Sequence, residues 1–159
     1  MQICVANNFT RCLGSYGNDL VLGGTFSSVN GTPANLLARW NGSTWEELGS
    51  SATSGIGVSG GLALGPQVAL DDVERPVVAW QDLRLGATSS EIYLMRWSGS
   101  AWEALGSYDT VGGLSNTSGE SQFCSLALDE VGAPVVAWTE GTPSSPSVSA
   151  VFRVLEPAP

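Results

Sequence analysis

Short apolar runs alternate with polar, glycine-rich segments along the whole chain. In the middle of the chain, Gln67 to Leu70, Pro76 to Gln81 and Glu91 to Trp97 are apolar or alternating runs separated by Gly, Ser, Asp and Pro. Runs of this length bounded by turn residues predict β-strands. No stretch shows a sustained helical period with convincing caps. The pattern therefore predicts an all-β protein.

The chain repeats itself. Arg39 to Ser50 returns as Arg96 to Ser107, 57 residues later, with 9 of 12 positions identical. A second pair, Val68 to Trp80 and Leu126 to Trp138, repeats with an offset of 58 residues. Self-similarity at such a period indicates one supersecondary unit copied along the chain, each copy burying its apolar face against its neighbours.

Each unit is predicted to contain four antiparallel strands in meander order, which is the pattern of a β-propeller blade. Residues 10–50 form the first predicted blade, residues 60–107 the second and residues 120–156 the third. The first blade has strands predicted at Arg11 to Tyr16, Asp19 to Phe26, Asn35 to Trp40 and Trp45 to Leu48. The second has Gln67 to Leu70, Pro76 to Gln81, Glu91 to Trp97 and Ala101 to Leu105, and the third has Phe123 to Leu128, Pro134 to Thr139 and Val148 to Leu155.

The third predicted blade lacks a fourth strand, while an extra strand is predicted at Gln2 to Ala6, ahead of the first blade. An end strand that completes the last blade is a common way to close a propeller. Residues 1–9 are therefore predicted to be a closing strand, so that the chain forms three blades of four strands.

A family resemblance rests on Asn18 to Phe26, Val29 to Trp45 and the following Leu48-Gly49. These segments resemble the bacterial kelch-like, cortical-marker type of surface β-propeller repeat, and the later units with Ala-Leu-Asp and Val-Val-Ala-Trp resemble a related bacterial repeat. The resemblance covers most of residues 10–154. It implies a propeller fold and an extracellular or cell-surface location, whereas propellers host binding, scaffolding and enzymatic functions alike.

Three blades are too few for a ring, since closed propellers have four to eight. Either the chain continues into further blades of a longer protein or copies of it assemble. A head-to-tail homodimer would supply six blades, with Gln2 to Ala6 of each copy completing the other.

Charge and composition exclude several function classes. The net charge is −9, all six basic residues are Arg, and there is no His. Nucleic acid and anionic lipid are bound by clustered Lys and Arg, so neither partner is expected. The lack of His removes the Ser-His-Asp triad and His-ligated metal sites. No apolar run is long enough to span a bilayer, and residues 1–4 do not begin a signal peptide.

The cysteines Cys4, Cys12 and Cys124 show no metal-binding spacing. They are predicted to be small buried strand residues, and a bridge between Cys4 and Cys12 in an oxidising compartment is the alternative.

The repeated tryptophans and arginines are predicted to belong to the scaffold. Trp80 and Trp138 are expected to pack between blades, and the pairs Trp40 with Trp45 and Trp97 with Trp102 are expected to pack across hairpins. Arg39, Arg96 and Arg153 recur on the third strand, and the acids Asp82 and Glu140 recur on the second. These two sets are expected to form ion pairs or hydrogen-bonded bridges within each blade. The functional alternative is a ring of carboxylates near a channel mouth, able to hold a cation or sugar hydroxyls.

Variable loops are the expected place for binding. Ser27 to Ala34, Leu83 to Ser90 and Gly141 to Ser147 share one position in the unit, and the long connectors Ser50 to Pro66 and Ser107 to Gln122 share another. The candidate binding residues near these loops are Asp82, Arg84, Asp109 and Glu140. The favoured function is non-catalytic binding of a protein or glycan, or scaffolding. The alternative is a carboxylate-dependent glycoside hydrolase or lyase, although no sequence signal selects a pair of acids. No cofactor is expected, and Ca²⁺ could bind without a recognisable loop motif.

Overall fold

The structure, a computed structural model, describes residues 5–49, 51, 56, 62–83, 90–106, 113–117, 119–142 and 145–153. All regular elements among them are β-strands, so the all-β prediction is confirmed. The strands are β1 (Thr10–Tyr16), β2 (Asp19–Gly24), β3 (Ser28–Val29), β4 (Thr32–Pro33), β5 (Leu37–Trp40), β6 (Trp45–Glu47), β7 (Ala63–Leu70), β8 (Pro76–Asp82), β9 (Glu91–Trp97), β10 (Trp102–Ala104), β11 (Glu120–Leu128), β12 (Pro134–Thr142) and β13 (Ser145–Arg153). Within these described ranges, no helix is long and apolar enough to cross a membrane.

The strands form three main antiparallel sheets in meander order. Sheet 1 is β1-β2-β5-β6, sheet 2 is β7-β8-β9-β10, and sheet 3 is β11-β12-β13. The inner strands β1, β7 and β11 lie side by side, with β7 in the middle. Tight turns connect the first strand to the second in every sheet, and we call the end that carries them the turn end. We call the opposite end, where β7, β9 and β11 begin, the loop end.

A small hairpin of β3 and β4 is inserted between β2 and β5, where the sequence predicted only a loop. The N-terminal segment pairs with this hairpin, since Ala6 forms a bridge with Val29 and the Asn30 N–H donates to the Val5 carbonyl at 2.8 Å. Residues 1–4 lie outside the described residues. The part of the predicted closing strand that is described therefore joins the hairpin of its own first unit rather than sheet 3.

The core between sheets 1 and 2 is built around Trp80. This side chain is 1% exposed and stacks on Tyr93 of the adjacent strand, with ring centroids 5.6 Å apart. Val21 and Leu37 of sheet 1 are fully buried in the same cluster. Period-two alternation along β8 directs Val78 and Trp80 to this core.

The core between sheets 2 and 3 uses the opposite face of β8. Val77 and Ala79 are fully buried there with Val136 of β12, and Trp138 is 6% exposed. Trp138 thus occupies in sheet 3 the position that Trp80 occupies in sheet 2. Both tryptophans pack between neighbouring sheets, where a large apolar ring contributes most through burial.

The hairpin tryptophans pack in cross-strand pairs. Trp40 lies opposite Trp45, and Trp97 lies opposite Trp102, with centroid separations of 5.6 and 5.4 Å. The second pair also contacts sheet 1. The Trp102 indole N–H donates to the Leu48 carbonyl at 3.3 Å, and a Cβ on Gly49 would lie 2.2 Å from a Trp97 ring carbon. Leu48 and Gly49, which follow β6, therefore form the surface against which the tryptophan pair of sheet 2 packs.

Two equivalent aspartates close the turns that precede β8 and β12. The Asp71 carboxylate accepts from the Val73 and Arg75 backbone N–H groups at 3.2 and 2.8 Å. Asp129 does the same for the Val131 and Ala133 N–H groups at 3.0 and 2.9 Å. Side chains of this type stabilise turns by taking the place of a backbone acceptor.

Candidate functional site

All three inner strands carry a β-bulge at the loop end. The register of β1 shifts between Thr10 and Cys12, that of β7 between Leu64 and Gln67, and that of β11 between Gln122 and Ser125. A bulge leaves one or more residues unpaired and redirects their side chains. Because the inner strands are neighbours, the three irregular segments lie next to one another.

The bulges of β7 and β11 share a left-handed backbone conformation. Gly65 has φ of 55°, and Phe123, which occupies the equivalent position 58 residues later, has φ of 54°. Glycine adopts this conformation without steric cost, whereas a side chain with a Cβ does not. Phe123 is also 78% exposed. A strained, exposed aromatic residue at this point is typical of a site where strain serves function.

A cavity of about 350 Å³ lies against the three bulges. Its volume is at the lower end of the range for small-molecule sites. The lining residues come from sheet 1, sheet 2 and sheet 3, and they are Arg11, Thr25, Leu64, Gly65, Gln67, Gln81, Phe123 and Cys124. A second cavity of about 240 Å³ shares Thr25 and extends along Phe26 and Leu62. Neither of these two cavities is lined by a carboxylate.

Two thiols lie beneath the bulges and hold the inner strands together. The Cys12 thiol donates to the Pro66 carbonyl at 3.3 Å, and the Cys124 thiol lies 3.7 Å from the Gly65 carbonyl. Burial raises the pKa of Cys12, and it raises the pKa of Cys124 to about 12. Thiols held in the protonated form are poor nucleophiles. Both are free thiols, so Cys12 does not form the alternative bridge with Cys4, which lies outside the described residues.

The candidate acids Asp82 and Glu140 each accept a hydrogen bond from a repeated tryptophan. The Trp80 indole N–H donates to Asp82 at 3.3 Å, and the Trp138 indole N–H donates to Glu140 at 2.5 Å. An offset of two residues places the acid and the tryptophan on the same face of a strand. Asp82 is 1% exposed and therefore does not face solvent.

Glu140 belongs to a hydroxyl-rich cluster between sheets 2 and 3. It accepts from the Ser121 and Thr117 hydroxyls at 3.1 and 2.8 Å. The Thr117 backbone N–H lies 3.4 Å from Glu91, which also accepts from the Ser115 hydroxyl. This cluster fastens the segment before β11 to the start of β9.

Glu91 is a buried acid of this cluster. It is 2% exposed, and burial raises the pKa of its carboxyl above the ordinary value of 4.5, while the charge of Glu140 acts in the same direction. The hydrogen bonds from Ser115 and Thr117 act in the opposite direction. Burial disfavours the ionised form because the protein solvates charge less well than water does.

The strand register separates Asp82 from Arg96, so the ion pair that the repeat predicted for these two residues does not form. Arg96 lies opposite Val77 on β8, at the other end of that strand from Asp82. Its guanidinium lies 3.5 Å from Asp71, which also binds Arg75 at 2.8 Å. In sheet 1, Arg39 binds Asp19 at 2.5 Å.

Sheet 3 has the same register. Arg153 lies opposite Val135, whereas Glu140 lies opposite Val148, five positions further along β12. The arginines of the third strand therefore belong to the turn end, and the acids that follow the tryptophans belong to the loop end. The repeat showed that these arginines and acids recur at matching positions. It did not show that the arginines and the acids lie at opposite ends of the strands.

The other two predicted binding residues, Arg84 and Asp109, lie outside the described residues. Among the residues that are described, no group of three His, Cys, Asp or Glu side chains is arranged to hold a metal ion. The cavity is lined instead by Arg11, Gln67, Gln81 and Phe123, none of which was predicted from the sequence to be a binding residue. One signal in the sequence could have indicated the bulge at Phe123. The equivalent position in the second unit is Gly65, and a glycine within a strand pattern often marks a bulge.

Comparisons with known proteins show similarity at the level of the fold. No protein-family model and no curated protein matches this sequence. The structure is similar to the crystal structure of an endo-arabinase from Bacteroides thetaiotaomicron VPI-5482, with a TM-score of 0.50 and 16% sequence identity. The match covers 89% of this chain and 53% of the endo-arabinase, so the chain spans about half the length of that protein. At this identity the likeness concerns the arrangement of the antiparallel sheets.

Proposed function

We propose that this chain forms β-propeller blades and acts as a non-catalytic binding module that holds a saccharide in the cavity at the loop end. The observation that carries the proposal is Phe123, an exposed aromatic side chain kept in a left-handed conformation at the cavity. An exposed ring offers a flat apolar face on which a sugar ring stacks. The Thr25 hydroxyl and the Gln67 and Gln81 amides supply donors and acceptors of the kind that bind sugar hydroxyls.

The propeller part of the proposal is supported by the strand order. Four strands in meander order form sheets 1 and 2, and the innermost strands of all three sheets lie adjacent. The fold is also similar to that of an endo-arabinase, which is a β-propeller. Cavities bounded by the inner strands are a natural consequence of this architecture.

Binding is favoured over glycoside hydrolysis because of where the acids lie. Hydrolysis requires two carboxylates that flank the scissile bond. Neither described cavity has one in its lining, and Glu140 uses its oxygens to accept from Trp138, Ser121 and Thr117. A carboxylate with three donors is a structural anchor.

The ring is proposed to be completed by a second copy of the chain at the cell surface. Sheet 3 has three described strands where sheets 1 and 2 have four. Phe9, directly before β1, and Leu13 on β1 are 69% and 64% exposed although β1 lies against β7 of sheet 2. Light scattering is expected to give the mass of two chains, and a monomeric mass would contradict the dimer.

The binding proposal is tested with Phe123→Gly. Glycine fits the left-handed conformation, so the variant removes the ring without disturbing the fold. We expect the variant to lose affinity for oligosaccharides about tenfold or more in titration calorimetry, in line with stacking contributions of about 1.5 kcal/mol. Its thermal unfolding midpoint should not fall.

Glu74→Gly is the matched control, since Glu74 has φ of 63° at the turn end, away from the cavity. It should leave affinity unchanged. Equal binding by the wild type and Phe123→Gly would overturn the proposal, as would the absence of binding to every member of a panel of neutral and acidic disaccharides.

A further inference from the structure

We infer that the saccharide carries a carboxylate, and that Arg11 is the residue that recognises it. This inference rests on the proposed function, because it names the chemical class of ligand for the same cavity. The inference can be tested separately from the proposed function, because neutral and acidic sugars that differ by one charge can be compared.

The arginines of the chain divide by their partners. Arg39 binds Asp19, and both Arg75 and Arg96 contact Asp71. Arg11 differs from these three. Among the described residues it contacts no carboxylate within ion-pair distance, and its guanidinium lies over the Phe9 ring, 5.5 Å from the centroid. In a chain with 15 acids and six basic residues, an arginine that no described acid neutralises is unexpected.

The backbone explains why Arg11 reaches the cavity. Arg11 is the residue in the bulge of β1, between Thr10 and Cys12. The bulge takes it out of the ladder, and it lines the 350 Å³ cavity together with the bulge residues of the two neighbouring inner strands. Stacking on Phe9 limits the freedom of the guanidinium plane while leaving its edge available for hydrogen bonds.

The rest of the lining leaves this positive charge uncompensated. Thr25, Gln67 and Gln81 are neutral, and the remaining lining residues are apolar or carry a protonated thiol. A planar guanidinium binds a planar carboxylate through two parallel hydrogen bonds, and such charge-assisted bonds are about twice as strong as neutral ones. The net charge of −9 repels polyanions at long range, so a short saccharide with a single uronic acid unit fits the site best.

The experiment compares matched ligands that differ in one group. Binding of the full chain is measured by titration calorimetry for neutral disaccharides and for the corresponding aldobiouronic acids, in which one C6 hydroxymethyl group is a carboxylate. We expect the acid to bind about tenfold more tightly than its neutral counterpart. In Arg11→Gln this preference should disappear, so that the acid and its neutral counterpart bind with affinities within about twofold of each other.

Arg75→Gln is the control for net charge, since it removes one positive charge at the turn end. It should keep the preference for the acidic sugar. Equal affinity of the wild type for both members of a pair, or a preference that survives in Arg11→Gln, would overturn the inference and leave the proposed function standing. If neither member of any pair binds, the proposed function fails and the inference fails with it.

Discussion

Left-handed backbone positions recur at both ends of the sheets, and the two ends use them differently. At the turn end, Glu74 and Gly132 are equivalent and have φ of 63° and 76°. At the loop end, Gly65 and Phe123 are equivalent and have φ of 55° and 54°. In each pair one copy has the residue that the conformation favours and the other has a side chain that it disfavours.

The two pairs of left-handed residues have different surroundings. Around Glu74, the turn is closed by hydrogen bonds to Asp71, and the glutamate itself is exposed. Around Phe123, the ring borders a cavity that also contains Arg11. The left-handed residue Glu74 thus lies in a closed turn, whereas Phe123 lies at the cavity for which we propose binding.

The largest expected effect is a loss of folding stability at the contact between sheets 1 and 2. Gly49→Ala should destabilise the fold by about 3–4 kcal/mol, because φ is 61° and the new Cβ would meet Trp97 and Trp102. Gly42→Ala, at φ of 90° with open space around it, should cost only about 1 kcal/mol. Urea unfolding of both variants measures the difference in the free energy of unfolding. Equal destabilisation of the two variants would show that Trp97 and Trp102 do not pack against Gly49.

The second prediction concerns the turn end alone. Asp71→Ala should cost about 2–3 kcal/mol, since it removes two turn hydrogen bonds and the ion-pair contacts of Asp71 with Arg75 and with buried Arg96. Asp129→Ala removes equivalent turn hydrogen bonds and should cost about 1 kcal/mol. Asp71→Asn keeps the acceptor oxygen and should fall between them. If both alanine variants cost the same by chemical denaturation, the arginine contacts of Asp71 contribute nothing.

A smaller effect is expected from relieving the left-handed strain itself. Glu74→Gly and Phe123→Gly should each stabilise the fold by about 0.5–1 kcal/mol, because relief of the steric penalty exceeds the entropic cost of glycine. Both side chains are exposed, so little burial is lost. Differential scanning calorimetry measures the shift. Destabilisation by Phe123→Gly alone would mean that the ring is a packing residue and would remove the basis for a functional reading of its strain.

The smallest effect is the pH dependence contributed by Glu91. Its folded-state pKa is raised above 4.5, so between the unfolded and the folded pKa the native protein binds more protons than the unfolded chain. Stability should therefore fall as the pH rises from about 4.5 through the raised pKa. Glu91→Gln should flatten that part of the profile in chemical denaturation series at several pH values, whereas Glu103→Gln, on exposed β10, should not. An unchanged slope in Glu91→Gln would assign the pH dependence to another group.

Much of the fold could be predicted because repetition and period-two alternation act locally. Glu91 to Trp97 is a strand with the predicted bounds, and Trp80 and Trp138 lie in equivalent interfaces. The hairpin β3–β4 escaped prediction because strands of two residues leave no periodic pattern. The candidate site escaped because β-bulges depend on how neighbouring strands pair.

By itself, the sequence determined the class of fold, the period of the unit and the turn positions of Asp71 and Asp129, since each follows from residues near one another in the chain. Only the tertiary structure decided which charges meet. It placed Arg96 with Asp71 rather than with Asp82, and it brought Arg11 and Phe123, 112 positions apart, to one cavity. Those contacts depend on strand register and on the packing of one sheet against the next, and neither quantity is encoded in the spacing of a repeat.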